Sequence, residues 1–122
     1  MSKVFKVGLI GCGHISETYF RGHDYFNNFK IVKCADINSE NAEKCAKTYG
    51  ITACSVEELL KDNDIDVILN LTIPRAHYEV AKQSLENGKH VYSEKPMAVN
   101  FSEGEELLAL SKSKGLYIGN AP

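Results

Sequence analysis

No run of about 18 apolar residues occurs in this 122-residue sequence, so no segment is long enough to cross a bilayer as a helix. The opening residues Met1–Lys6 lack the apolar stretch of a secretory leader. Neither sign of charge is in excess: 14 Lys and Arg stand against 16 Asp and Glu, a net of −2. The basic footprint that nucleic acid or an anionic membrane would demand is therefore missing. Cys12, Cys34, Cys45 and Cys54 form no C-x-x-C pair, and their spacings are irregular. His14, His23, His77 and His90 lie far apart and match none of the cysteines at zinc-like spacing. These absences lead us to expect reduced thiols rather than a disulfide framework, no metal site, no membrane or nucleic-acid partner, and a cytoplasmic location.

What is present is one ordinary domain's worth of chain, 43% hydrophobic and 25% charged, enough to bury a core without staples. Two periods alternate along it. Val4–Ile10, Phe29–Ile37, Ile51–Cys54, Ile65–Leu71, His90–Ser93 and Leu116–Gly119 are short, largely apolar runs expected as strands. Between them lie helix-length segments: His14–Phe26; Ser39–Tyr49 closed by Gly50; Val56–Lys61 opened by Ser55 with Glu58 as a capping box; and Pro74 to Asn87 before Gly88. A last helix, opened by Asn100 with Glu103, should end before Gly115. No repeat or linker interrupts the alternation. It predicts right-handed βαβ units in a parallel sheet: an α/β, doubly wound Rossmann fold over residues 1–122, strand order 3-2-1-4-5-6.

After the first strand the chain reads Gly11-Cys12-Gly13-His14-Ile15-Ser16. In a dinucleotide-binding turn the first glycine permits the tight bend and the second lets a pyrophosphate approach the backbone. The third position requires a small residue, which Ser16 supplies less strictly than glycine. No Lys or Arg lies in the turn, so the amides of Gly11, Cys12, Gly13, His14 and Ile15, with the helix dipole behind them, would carry the binding. The side chains of Cys12 and His14 are expected to play little part. Asp36 ends the second strand 20 residues after Ser16, where a carboxylate can accept both adenosine ribose hydroxyls, with Ile37 beside it. The competing readings are a plain structural turn and, for Asp36, a cap on the next helix, a task Asn38 or Ser39 could equally perform. An acid repels a 2′-phosphate and no arginine follows, so NAD is expected as cofactor in preference to NADP.

Four stretches, in order, resemble the Gfo/Idh/MocA family of glucose–fructose oxidoreductase, inositol dehydrogenase and related enzymes. They are GLIGCGHIS at Gly8–Ser16, LNLTIPRAHYEVA at Leu69–Ala81, GKHVYSEKPMAV at Gly88–Val99, and the closing Gly119-Asn120-Ala121-Pro122; the likeness runs from Val7 to Pro122. The resemblance implies hydride transfer between a nicotinamide and an alcohol carbon of a sugar, polyol or related substrate. It also implies Lys95 of Glu94-Lys95-Pro96 as the catalytic residue beside the reacting hydroxyl. An ammonium near a cationic nicotinamide is pushed toward a lower pKa, which suits an acid–base role. Without the motif, Lys95 would read as an exposed lysine at a strand end. By the same resemblance Thr72 and Pro74 would line the nicotinamide side of the crevice, and His77 would face the cofactor or hold its turn in place. Glu94 would approach the nicotinamide ribose; alternatively it is a surface acid pairing with Lys95 or Lys89.

Members of that family continue into a second domain that covers the crevice, supplies further catalytic groups and makes the subunit contacts of a homo-oligomer. That substrate and oligomerisation domain is absent from this chain, which is expected to be a truncated piece of a longer enzyme. The alternative is a free-standing dinucleotide sensor or interaction module without catalysis, for which a lysine at the hydride site would have no use.

Overall fold

The computed structural model describes residues 5–11, 29–72, 74–93 and 101–120. Six strands form one sheet: β1 (Phe5–Ile10), β2 (Phe29–Ala35), β3 (Thr52–Ala53), β4 (Val67–Asn70), β5 (His90–Ser93) and β6 (Ile118–Asn120). Among the described residues four helices lie between strands: α1 (Ser39–Tyr49), α2 (Val56–Lys61), α3 (Pro74–Glu86) and α4 (Phe101–Lys114). The expected helix His14–Phe26 lies outside the described residues. Every strand pair is parallel, and the order is β3-β2-β1-β4-β5-β6. The doubly wound sheet expected from the alternation is thus present, with its change of direction between β1 and β4.

Local chemistry sets the helix ends. Asn38 caps α1, its side chain accepting the Glu40 N–H at 3.0 Å. Gly50 closes that helix at φ 68°, a conformation costly for any residue with a β-carbon. The capping box of α2 is reciprocal: Ser55 Oγ accepts from Glu58 N–H at 3.0 Å, and Glu58 Oε1 accepts from Ser55 N–H at 3.2 Å.

Four strand runs are shorter or shifted relative to their apolar stretches, β3 keeping only Thr52–Ala53 of the run Ile51–Cys54. β2 stops at Ala35 rather than Ile37, because the Asp36 carboxylate turns back to accept the Asn38 N–H at 2.8 Å. Leu116 is not in β6; its N–H closes α4 on the Ser111 carbonyl at 2.9 Å, and the Tyr117 N–H goes to His90 Nδ1 at 3.0 Å. β4 is trimmed at both ends, although the Leu71 N–H still reaches the Ile10 carbonyl at 2.8 Å.

Each face of the sheet has its own core. On one, α1 contributes Cys45, Ala46 and Tyr49 against Val7, Leu9, Ile31, Cys34 and Leu69. On the other, Leu59 and Leu60 of α2 pack on Ile10, Ala35 and Ile68, while α3 and α4 bring Ala81, Leu85 and Leu107 onto Val91. Ile31 and Cys34 share a face although strict alternation would separate them. The reason is a register shift: Val7 pairs with Ile31 but Gly8 pairs with Lys33, leaving Val32 as an extra residue in β2.

At the amino-terminal edge Asp62 ties three segments together. Its carboxylate pairs with Lys33, and its carbonyl accepts from the Lys89 ammonium. Lys89 is only 5% exposed, and burial pushes its pKa down. The hydrogen bond from Lys33 is the main cause holding the Asp62 carboxyl below its usual range. Cys34 and Cys45 are buried and Cys54 is half-buried, none in a disulfide. None of the described helices is long and apolar enough to cross a membrane.

Gly8 is where sheet and α2 come closest. A β-carbon there would stand 2.7 Å from Leu59 Cδ1 and 3.0 Å from its Cγ, and Leu59 is fully buried. Gly8→Ala is expected to lower stability by about 1–3 kcal/mol through overpacking. In a Leu59→Ala background the same change should be neutral or stabilising, since glycine loses more backbone entropy on folding than alanine. Urea unfolding of the two single variants and the double variant checks this; additive penalties would contradict the packing assignment.

Candidate functional site

The carboxyl ends of β1, β2 and β4 meet at Gly11. Its φ is 102°, and its N–H donates to the Ala35 carbonyl at 2.9 Å. A β-carbon at Gly11 would lie 2.6 Å from the Leu71 carbonyl oxygen and 2.9 Å from Thr72 N. Backbone conformation and space therefore both require glycine. Such a bend at the switch point of a doubly wound sheet is where a ligand's phosphates can approach the main chain. The rest of the turn (Cys12, Gly13, His14, Ile15 and Ser16) lies outside the described residues.

Asp36 follows immediately after the carbonyl that Gly11 binds. It is half-buried, and its Oδ1 accepts the Asn38 N–H. Asn38, not Asp36, caps α1, so the carboxylate closes a short turn at the rim of the crevice instead of serving the helix. Ile37, 97% exposed, stands beside it.

On the β4 side, Thr72 is half-buried between the end of β4 and the start of α3. Its hydroxyl donates to Asn70 Oδ1 at 2.6 Å, and its N–H makes a longer contact with the same oxygen at 3.4 Å. Asn70 is completely buried. An amide inside the apolar run Ile65–Leu71 is the signal by which the sequence marks it. A buried amide is costly unless its hydrogen bonds are made.

Pro74 is the first residue of α3 and His77 lies in its first turn. β5 ends at Ser93, which pairs with Asn70. Glu94, Lys95 and Pro96 follow it and lie outside the described residues. Lys89, considered as a partner for Glu94, precedes β5 and is engaged with the Asp62 carbonyl at the amino edge. The structure thus brings together Gly11, Asp36, Ile37 and Thr72, and adds Asn70. Among the described residues no group of three or more His, Cys, Asp and Glu could hold a metal ion. The groove beside α2, lined by Lys33, Cys54, Glu57, Glu58, Lys61 and Asp62, is a separate feature of the surface. Burial pushes the Cys54 thiol up in pKa, away from thiolate chemistry.

Residues 5–121 match the family model described as oxidoreductase family, NAD-binding Rossmann fold. The chain is 35% identical over 120 residues to trans-1,2-dihydrobenzene-1,2-diol dehydrogenase of Xenopus tropicalis, covering 95% of this chain and 36% of that protein. It is 29% identical over 116 residues to inositol 2-dehydrogenase/D-chiro-inositol 3-dehydrogenase of Lactiplantibacillus plantarum, covering 92% and 33%. Among solved structures, a dehydrogenase (MviM) from Clostridium difficile superposes with a TM-score of 0.88 at 35% identity, over 98% of this chain and 39% of that one. The chain spans about a third of the length of the curated relatives named here. With its parallel sheet in 3-2-1-4-5-6 order and a glycine wedge at the switch point, the chain belongs to the Gfo/Idh/MocA oxidoreductase family and carries its NAD-binding Rossmann fold.

Proposed function

We propose that this chain is the cofactor domain of a dehydrogenase that moves a hydride between NAD and an alcohol carbon of a sugar, polyol or related small molecule. The observation that carries the reading is the placement of Asp36 directly after the carbonyl bound by Gly11. It sets a carboxylate next to Gly11's partner strand at the switch point, which supports a dinucleotide there. The residues present fit the dinucleotide. Gly11 clears space for the bend, the amides of Cys12, Gly13, His14 and Ile15 would hold the pyrophosphate, and Asp36 would accept the adenosine ribose hydroxyls beside Ile37. Thr72, Pro74, His77 and Glu94 would line the nicotinamide half. When bound, NAD supplies the hydride acceptor; the protein's own part is to orient it, exclude water and manage the substrate's proton. That last role would fall to Lys95, since an ammonium beside a cationic ring is disfavoured and could exchange a proton with the reacting hydroxyl. The inositol dehydrogenase relative supports the polyol class. Pocket walls and homo-oligomer contacts are assigned to the further length the relatives possess.

Two measurements test this. NAD should bind at least about tenfold tighter than NADP, since a 2′-phosphate would meet the Asp36 carboxylate, and Asp36→Ala should narrow that gap mainly by weakening NAD. A calorimetric titration in which NADP binds as well as NAD would refute the assignment. In the complete enzyme, Lys95→Ala should slow single-turnover hydride transfer by about a hundredfold while NAD affinity barely changes. Near-normal transfer would show that Lys95 is not catalytic. Loss of NAD binding would make it a cofactor anchor instead.

A further inference from the structure

Asn70 is the least expected residue in the sheet. It is fully buried, it ends a strand otherwise made of Val67, Ile68 and Leu69, and it directly precedes the crevice. Burying an amide there without use would be costly, so its hydrogen bonds indicate what it is for. The geometry also fixes which way its amide faces. The Thr72 N–H can only donate, and it lies 3.4 Å from the same atom that the Thr72 hydroxyl meets at 2.6 Å. That atom must therefore be the oxygen, and the hydroxyl must donate to it. A hydroxyl has one proton. Once it is given to Asn70, Thr72 Oγ1 can serve a ligand only as an acceptor.

We propose that Asn70 is a positioning residue that locks the Thr72 hydroxyl as a hydrogen-bond acceptor for the carboxamide NH2 of the nicotinamide. This rests on the dinucleotide reading above and adds a chemical selectivity to it. A carboxamide NH2 donates, whereas a methyl ketone in its place has nothing to give. The site would therefore read the amide of the cofactor and not merely its ring. Asn70 does this without touching the ligand, by removing the hydroxyl's freedom to turn. It acts from the β4 end that pairs with Ser93, from which the Glu94-Lys95-Pro96 segment departs.

The test compares dinucleotides that differ only at this group. Calorimetric titration would use NAD, thionicotinamide adenine dinucleotide (which keeps the NH2) and 3-acetylpyridine adenine dinucleotide (which has a methyl there), with ADP-ribose as a probe lacking the ring. In the wild type, the acetylpyridine analogue should bind about tenfold more weakly than the two amides, the scale of one net hydrogen bond. Thr72→Val should bring that ratio to about one, and Thr72→Ser should keep it. Asn70→Ala should also collapse the ratio, by weakening NAD while leaving the acetylpyridine analogue and ADP-ribose unchanged. If Asn70→Ala weakens all four ligands alike, Asn70 only supports the fold and the proposal fails. If that variant does not fold, Thr72→Val carries the test, and a ratio still near ten in it overturns the proposal. A wild type that binds ADP-ribose but ignores the NH2 overturns this inference alone. A wild type that binds none of the four overturns the dinucleotide reading with it.

Discussion

Gly11 has no room for a side chain, because the main chain at Leu71 and Thr72 occupies the place where a β-carbon would go. The same residue sends its N–H to the Ala35 carbonyl. One residue without a side chain therefore sets three strand ends at van der Waals or hydrogen-bond distance. Any larger residue would push β4 from β1 and open the crevice at its apex. Asp36, on the far side of Ala35, and Thr72, against Gly11, come to the same apex only because that approach is possible. The positive φ adds a second requirement, since the turn must leave the strand in a direction that L side chains resist.

The extra residue in β2 matters for the same reason. Val7 pairs with Ile31, but by the end of the strand Ile10 pairs with Ala35, so β2 has advanced one residue relative to β1. Without Val32 as the surplus, Ile10 would stand opposite Cys34 and the acid would sit one position beyond the turn. The bulge also returns Ile31 and Cys34 to one core and Val32 and Ala35 to the other. Packing on both faces thus holds the shift that brings Asp36 level with Gly11.

The two edges of the sheet divide the work. At the amino edge Asp62 gathers Lys33 and Lys89, and the resulting contacts are internal to the fold. At the carboxyl edge stand the polar groups of Asp36, Asn70 and Thr72, at the end doubly wound sheets use for ligands. Lys89 precedes β5 at the amino edge, whereas the strand ends with Ser93 at the carboxyl edge. Lys89 is spent on a carbonyl.

Much of this was legible in the residues. The alternation of short apolar runs with helix-length segments determined the α/β class, and short-range chemistry marked helix ends such as Gly50 and the Ser55–Glu58 box, because each depends on neighbours within one turn; which of Asp36, Asn38 and Ser39 caps α1 stayed open. Gly11 and Asp36 could be singled out by spacing, and Glu94-Lys95-Pro96 only by its resemblance to the family's motif. The sequence did not determine that Leu71 and Thr72 exclude a β-carbon at Gly11, that Leu59 fills the space above Gly8, or that Val32 is surplus. Nor did it indicate that the Asn70 amide oxygen accepts the hydrogen bond of the Thr72 hydroxyl, although those two residues are only two apart. Strand pairing and burial decide these features. A bulge exists only relative to a partner strand, a wedge only relative to what it is wedged against, and a buried amide has consequences only once water is gone.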